Sequence, residues 1–217
     1  MGGVWAIVVA AGAGRRFGGS KQYELIHGRS VLEWSLSAAR AACDGVVAVV
    51  PPADAARALP VTAVPDAVVG GGASRSASVR AGLAAVPGDA SVIVVHDAAR
   101  PLAGPALWAA AIAGLGDGAD AAICAIPVTD TVKRVDGTTV IETVDRAGLV
   151  EVQTPQAFRA AALRAAHAGE EDASDDAALV ERAGGRVVTV PGSPHNLKIT
   201  HSHDLAVAAV VSAWAVT

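Results

Sequence analysis

Aromatic residues make up only 3% of this chain, so its core must be built from Ala, Val and Gly, a composition suited to close helix-on-sheet packing rather than aromatic-rich recognition. Basic clusters are also missing. The net charge is −4 and no run of Lys or Arg forms a stripe, which excludes a dedicated nucleic-acid binder whose affinity rests on phosphate neutralisation. A small anionic ligand needs only a few cations in one cleft and stays open. Cysteine is nearly absent: Cys43 and Cys124 stand far apart among apolar residues and read as buried, reduced thiols, which fits the cytoplasm. No stretch reaches the uninterrupted apolar length of a membrane span, and Met1-Gly2-Gly3-Val4-Trp5 carries no basic leader. The expectation is a cytoplasmic protein with neither membrane nor nucleic acid as partner.

What is present is ample core material, 52% hydrophobic residues in 217, enough for one domain over residues 1–217. Trp5 to Ala10 is a continuous apolar run ending in glycines, as a strand buried on both faces should be. Ser30 stands where it can cap a helix to about Cys43, with Leu32, Leu36 and Ala39 on one face. Further strands are expected at 46–50, 92–95, 121–126 and 186–190. Helices are expected at 76–86, 105–115, 159–168, 175–183 and 202–214. This alternation predicts an α/β, Rossmann-like fold: a mostly parallel twisted sheet flanked by helices, with the working edge at the strands' C-terminal ends. One segment breaks the rhythm. Asp136-Gly137 lies between two β-prone runs, predicting a hairpin arm inserted at about 131–149. Projecting from the domain, such an arm is suited to docking on a second subunit.

After the first apolar run comes Ala10-Ala11-Gly12-Ala13-Gly14-Arg15-Arg16-Phe17-Gly18-Gly19-Ser20-Lys21. Glycines let backbone N–H groups approach phosphate oxygens, and the cations that follow neutralise them. A dinucleotide loop wants a third glycine where Phe17 stands, and an acid after the second strand, where Pro51-Pro52 stands. A Walker loop wants Lys directly after Gly, and Ser20 intervenes. A triphosphate cradle with Arg15, Arg16 and Lys21 around it remains; the plain alternative is a strand-to-helix turn with solvated basic residues.

The order Ala-Ala-Gly-x-Gly-x-Arg, then Lys21-Gln22-Tyr23, resembles the nucleotidyltransferases of GT-A-like fold. Within them the chain is similar to the 2-C-methyl-D-erythritol 4-phosphate cytidylyltransferases. The likeness runs on through Gly71-Gly72, 74–79, 95–101, 130–133, 143–149, Thr154-Pro155-Gln156, Ser174-Asp175-Asp176 and 196–200, nearly the whole chain. The first loop alone is shared with many nucleotidyltransferases; the ordered set is specific.

This resemblance implies attack by a polyol phosphate on the α-phosphorus of CTP, with pyrophosphate leaving. The nucleophile is already ionised, so positioning and charge neutralisation suffice. Arg16, Lys21 and Lys198 match the family's catalytic cations, although a lysine between Leu197 and Ile199 can also simply snorkel from an apolar surface. Residues Ala10 to Arg15, with Gly71, Gly72, Ser78, Asp97 and Ala98, match the nucleotide side. Asp97, just past an apolar run, is placed to hold Mg²⁺ or the ribose; helix capping is the plain alternative. Ala73 and Ser74 occupy positions often acidic in the family, leaving cytosine selection to backbone groups and pocket size.

Arg100, Thr131, Arg146 and Thr154 match the acceptor side. The family likeness places Thr131 and Arg146 on the partner subunit's arm in a homodimer with a shared site. A salt bridge from Arg146 to Asp145 or Glu142 is the bland alternative. His96 reads as scaffold, and His201 with His203 as surface residues at a helix start. Two rivals stand beside this reading: a ribitol-5-phosphate cytidylyltransferase, and a nucleotide-binding subunit without turnover.

Overall fold

Val4–Val9 forms strand β1 at the centre of a seven-stranded sheet in this computed structural model, which describes residues 2–57 and 59–214. Met1, part of the N-terminal stretch read above, lies outside them. A two-residue hairpin, β2 (Leu25–Ile26) and β3 (Arg29–Ser30), leads into α1 (Val31–Ala42). Ser30 caps α1 as expected, accepting from the Glu33 N–H at 3.1 Å. There follow β4 (Gly45–Val50), β5 (Ala67–Gly70), α2 (Arg75–Ala85), β6 (Val92–Asp97), α3 (Pro105–Ala113) and β7 (Ala121–Pro127). The arm strands are β8 (Val132–Asp136) and β9 (Thr139–Val144). The chain closes with β10 (Val150–Arg159), α4 (Ala160–Ala166), α5 (Asp176–Arg182), β11 (Val187–Pro191) and α6 (Asp204–Trp214).

Side chains alternate across a strand, and here both faces are apolar. Ala6, Val8, Val46, Ala48 and Val50 pack on one side with Leu32, Leu36 and Ala39 of α1 and Trp108 of α3. Ile7, Val47 and Val49 pack on the other with Val79 and Leu83 of α2, Leu163 of α4 and Val180 of α5. Strand order is β11-β7-β10-β6-β1-β4-β5. From β1 the chain goes through α1 to β4 on one side, then through α2 back to β6 on the other. The order therefore reverses at β1, and the crevice outside its C-terminal end is the expected ligand position for such a sheet.

Two strands of the seven-stranded sheet escaped the sequence reading, as did the short β2–β3 hairpin. β5 is a four-residue edge strand. β10 runs antiparallel between β6 and β7, and Pro155 in its middle argues against a central strand because proline cannot donate to a ladder. Here the β10–β7 register shifts between Val152 and Gln156, so Pro155 sits in the interruption. The antiparallel run matters for the site. With Gln156 opposite Val95, the chain enters the sheet beside the C-terminal end of β6. The arm appears where expected, a separate two-stranded sheet pairing only with itself.

Candidate active site

A cavity of about 540 Å³ opens at the C-terminal ends of the parallel strands. The loop after β1 forms one wall, but it does not open a helix. Residues 15–18 turn back, with Phe17 and Gly18 N–H both donating to the Gly14 carbonyl at 2.9 Å, and a 3-10 turn, Lys21–Tyr23, follows. Gly14 has φ +60, and a Cβ there would lie 1.8 Å from the Gly19 carbonyl oxygen, so this turn admits only glycine. Among the described residues none accepts from the backbone N–H groups of residues 11–16. Ala10 through Arg16 all line the cavity. Arg15 and Arg16 are exposed there, and neither pairs with a carboxylate among the described residues.

Lys21 is half-buried on the same cavity, and its Nζ donates to the Ile199 carbonyl at 2.5 Å. Burial, and then the nearby Lys198 ammonium, lower its pKa below the ordinary 10.5 against the pull of Asp97. Lys198 comes from a strap pinned on both sides. Asn196, fully buried, donates to Gln153 Oε1 and the Thr154 carbonyl, and Ile199 is buried against Ile26, Val31 and Ala208. Between these anchors Lys198 turns inward to Asp97 Oδ2 at 2.6 Å, rather than snorkelling outward.

Asp97 ends β6. It is not a helix cap: Arg75 Nε reaches its Oδ1 at 3.1 Å, and its N–H donates to Thr154 Oγ1 at 3.0 Å. Burial alone would raise its pKa, but the Arg75 guanidinium and the Lys198 ammonium hold it well below the carboxylate range. Behind it, His96 is scaffold as read. It is fully buried, and burial lowers its pKa to about 4, so the ring is neutral. Its Nε2 lies 3.2 Å from the Arg100 carbonyl, which makes Nε2 the donor and leaves Nδ1 to accept from the Thr154 hydroxyl at 3.1 Å.

The residues that the resemblance matches to the nucleobase are more internally bonded than it implied. Gly72 and Ser78 line the cavity with Ala98, while Gly71 lies just behind, where a Cβ would meet Ala11 Cβ at 2.2 Å. Ser78 Oγ donates to the Ser74 carbonyl at 2.9 Å and accepts from the Gly72 N–H at 3.2 Å, so it shapes this loop from within. Ala73 and Ser74 line the mouth, and Ser74 Oγ reaches Asp172 at 2.5 Å.

A second cavity, about 270 Å³, adjoins the first and shares Arg75, Asp97 and Lys198 with it. Arg100 and Thr154 line it, and Arg100 is held by the carbonyls of Asn196 and Val152 at 2.7 and 3.3 Å. Thr131 and Arg146 line neither cavity. The expected alternatives for Arg146 do not form either: it donates to the Thr129 carbonyl, while Glu142 pairs with Arg134 and Asp145 accepts from Ala147 N–H.

Sequence reasoning assigned no role to Arg75 or Asp176, which the structure joins to Asp97. His201 and His203 are exposed as expected, and the Asp204 carboxylate lies with them, already accepting from the Thr200 and His201 N–H groups.

Comparison with known proteins agrees with this architecture. Residues 4–213 match the family model described as 2-C-methyl-D-erythritol 4-phosphate cytidylyltransferase. A protein of that name from Nocardia farcinica is 46% identical, covering 95% of this chain and 93% of the relative. A bifunctional enzyme IspD/IspF from Solidesulfovibrio magneticus is 42% identical over 94% of this chain, which spans about half, 56%, of that longer protein. Among solved structures, the Thermus thermophilus protein of the first name superposes with a TM-score of 0.81 at 33% identity, covering 95% of this chain and 98% of that one.

Proposed function

This chain belongs to the 2-C-methyl-D-erythritol 4-phosphate cytidylyltransferase family, and on that premise we propose that it transfers the cytidylyl group of CTP to 2-C-methyl-D-erythritol 4-phosphate. The products are 4-diphosphocytidyl-2-C-methyl-D-erythritol and pyrophosphate, a step of non-mevalonate isoprenoid synthesis. An oxygen of the acceptor phosphate attacks the α-phosphorus while the bond from that phosphorus to the bridging oxygen of the β-phosphate breaks. No general base is needed, because the attacking oxygen is already ionised. The enzyme's task is to hold two polyanions in line and neutralise the charge that gathers between them.

One observation carries this reading: Arg16, Lys21 and Lys198 share a single cavity with a loop in which the N–H groups of residues 11–16 find no acceptor among the described residues. The adjoining cavity, lined by Arg100 and sharing Asp97 and Lys198 with the first, supports an acceptor position beside the nucleotide. Arg100's donors are partly spent on carbonyls, so its positive field matters there as much as its hydrogen bonds.

Mg²⁺ fits this cavity only as an ion arriving with the nucleotide. Asp97 is the sole carboxylate among the residues lining the larger cavity, and both its oxygens are engaged by Arg75 and Lys198. A single carboxylate plus substrate phosphates is an ordinary Mg²⁺ environment, whereas a protein-only cage needs more ligands. Such an ion would add positive charge to the triphosphate.

The arm supports a homodimer with a shared site. Val135, Val140 and Ile141 on it are more than half exposed at 53%, 56% and 60%, and Thr131 and Arg146 line neither of the two cavities of their own chain described above. Cytoplasmic residence is proposed with this pathway; among the described residues, no helix is long and apolar enough to cross a membrane.

The test is pyrophosphate release at fixed CTP with methylerythritol phosphate, ribitol 5-phosphate or no acceptor. Release with the first alone is expected. Preference for ribitol phosphate would replace the acceptor, and binding of CTP without release in any arm would leave a nucleotide-binding subunit.

A further inference from the structure

Asp176 is a fully buried acidic side chain, and it lines neither of the two cavities described above. An isolated carboxylate in the interior is expensive, so its partners explain why it is there. Arg75 Nη1 donates to its Oδ2 at 2.7 Å, and His167 Nε2, also buried, lies 3.0 Å from its Oδ1. The same guanidinium donates through Nε to Asp97 Oδ1. A line of contacts therefore runs from α5 through the first residue of α2 to the end of β6, and on to Lys198 in the cavity.

We propose that Asp176 and Arg75 are positioning residues for the cytidylyl transfer proposed above: Asp176 holds Arg75, and Arg75 fixes the Asp97 carboxylate edge-on, with Oδ1 turned away and Oδ2 presented to Lys198. The inference rests on that enzymatic reading of the cavity.

A purely structural tie between α2 and α5 is the competing explanation, and three observations weigh against it. Well-packed apolar residues link two helices as well as a buried ion pair does, and often better. Arg75 lines both cavities, at the boundary where the two substrates would meet. Its Nη2 is buried and finds no acceptor among the described residues, a penalty a mere helix tie would not require. Asp97 is also held from behind, its N–H by Thr154 and its carbonyl by the Arg100 N–H at 2.9 Å. Backbone and side chain are thus fixed separately, the arrangement needed when a carboxylate's orientation matters rather than only its charge.

Asp176→Asn keeps the shape and one acceptor while removing the charge that anchors Arg75. Arg75→Lys reaches one carboxylate at most and serves the same purpose if the first variant does not fold. Each is measured for kcat, KM for CTP and melting temperature, alone and beside Asp97→Asn, using single-turnover reactions followed long enough to read very slow variants. The expected result is a tenfold or greater fall in kcat with KM for CTP changed less than threefold, shrinking below threefold when Asp97 is already Asn. A fall under tenfold, or one undiminished beside Asp97→Asn, overturns the proposal. If the unaltered protein releases no pyrophosphate with any acceptor, the enzymatic reading fails and this inference with it. If the unaltered protein turns over and both variants match it, only the inference fails.

Discussion

Thr154 is where the resemblance and the geometry divide, and Thr154→Val separates them. The resemblance puts this hydroxyl on the acceptor; the structure spends it on the protein, taking the Asp97 N–H at 3.0 Å and meeting His96 Nδ1 at 3.1 Å in a residue only 5% exposed. Valine fills the same volume, so no cavity opens and the effect is the loss of two hydrogen bonds. Each buried group left unpaired costs about 1–3 kcal/mol, so together they remove about 2–6 kcal/mol. In a chain of this length each kcal/mol is worth roughly 2–4 °C, giving a fall in Tm of roughly 4–24 °C. Thr154→Ser keeps the hydroxyl and should lose only about 1 kcal/mol for its methyl group. Thermal melts of the three proteins, with kcat and KM for the acceptor alongside, decide the matter. The reasoning is refuted if Thr154→Val melts within 2 °C of the unaltered protein. It is also refuted if the serine variant is equally unstable. A raised KM for the acceptor with an unchanged melt would return Thr154 to substrate binding.

Lys21→Ala should lower kcat by about 10²–10³-fold, since it removes a cation needed mainly at the transition state. Its lost bond to the Ile199 carbonyl should cost about 1–3 kcal/mol, leaving the fold standing, and a near-normal kcat would remove Lys21 from catalysis. The same residue sets an alkaline limit. Protonated Lys21 is the working form, so kcat/KM for CTP holds below its pKa and is lost as pH rises through it. Because that pKa is lowered, the fall should come below pH 10.5 and move upward in Lys21→Arg; coincident profiles would contradict it. Arg146→Ala should chiefly raise KM for the acceptor. Mixing it with Lys21→Ala should restore about a quarter of full activity, as half the dimers are mixed and each holds one intact site. No recovery after demonstrated subunit exchange would end the shared-site reading.

Much of this was legible locally. Ser30 before an apolar 3.6 pattern announced α1, and the glycines before Arg15 and Arg16 announced a loop that turns tightly at Gly14. The arm was announced by Asp136-Gly137. β10 was hidden because its proline contradicts a ladder that the register shift interrupts at that point. The Asp97–Arg75–Asp176 line was hidden for another reason: residues far apart in the chain meet only once the sheet and both helices are packed. One signal was available. Asp175 caps α5 by accepting from the Ala178 N–H, so capping accounts for one acid of the pair and leaves Asp176 unexplained.

The account stands on cations converging around a nucleotide triphosphate. A crystal structure of the protein grown with CTP tests it most directly. The phosphates should lie against residues 11–16, within hydrogen-bonding reach of Arg16 and Lys21, with Lys198 beside the α-phosphate. CTP bound elsewhere on the molecule, with that cavity holding only water, would contradict it.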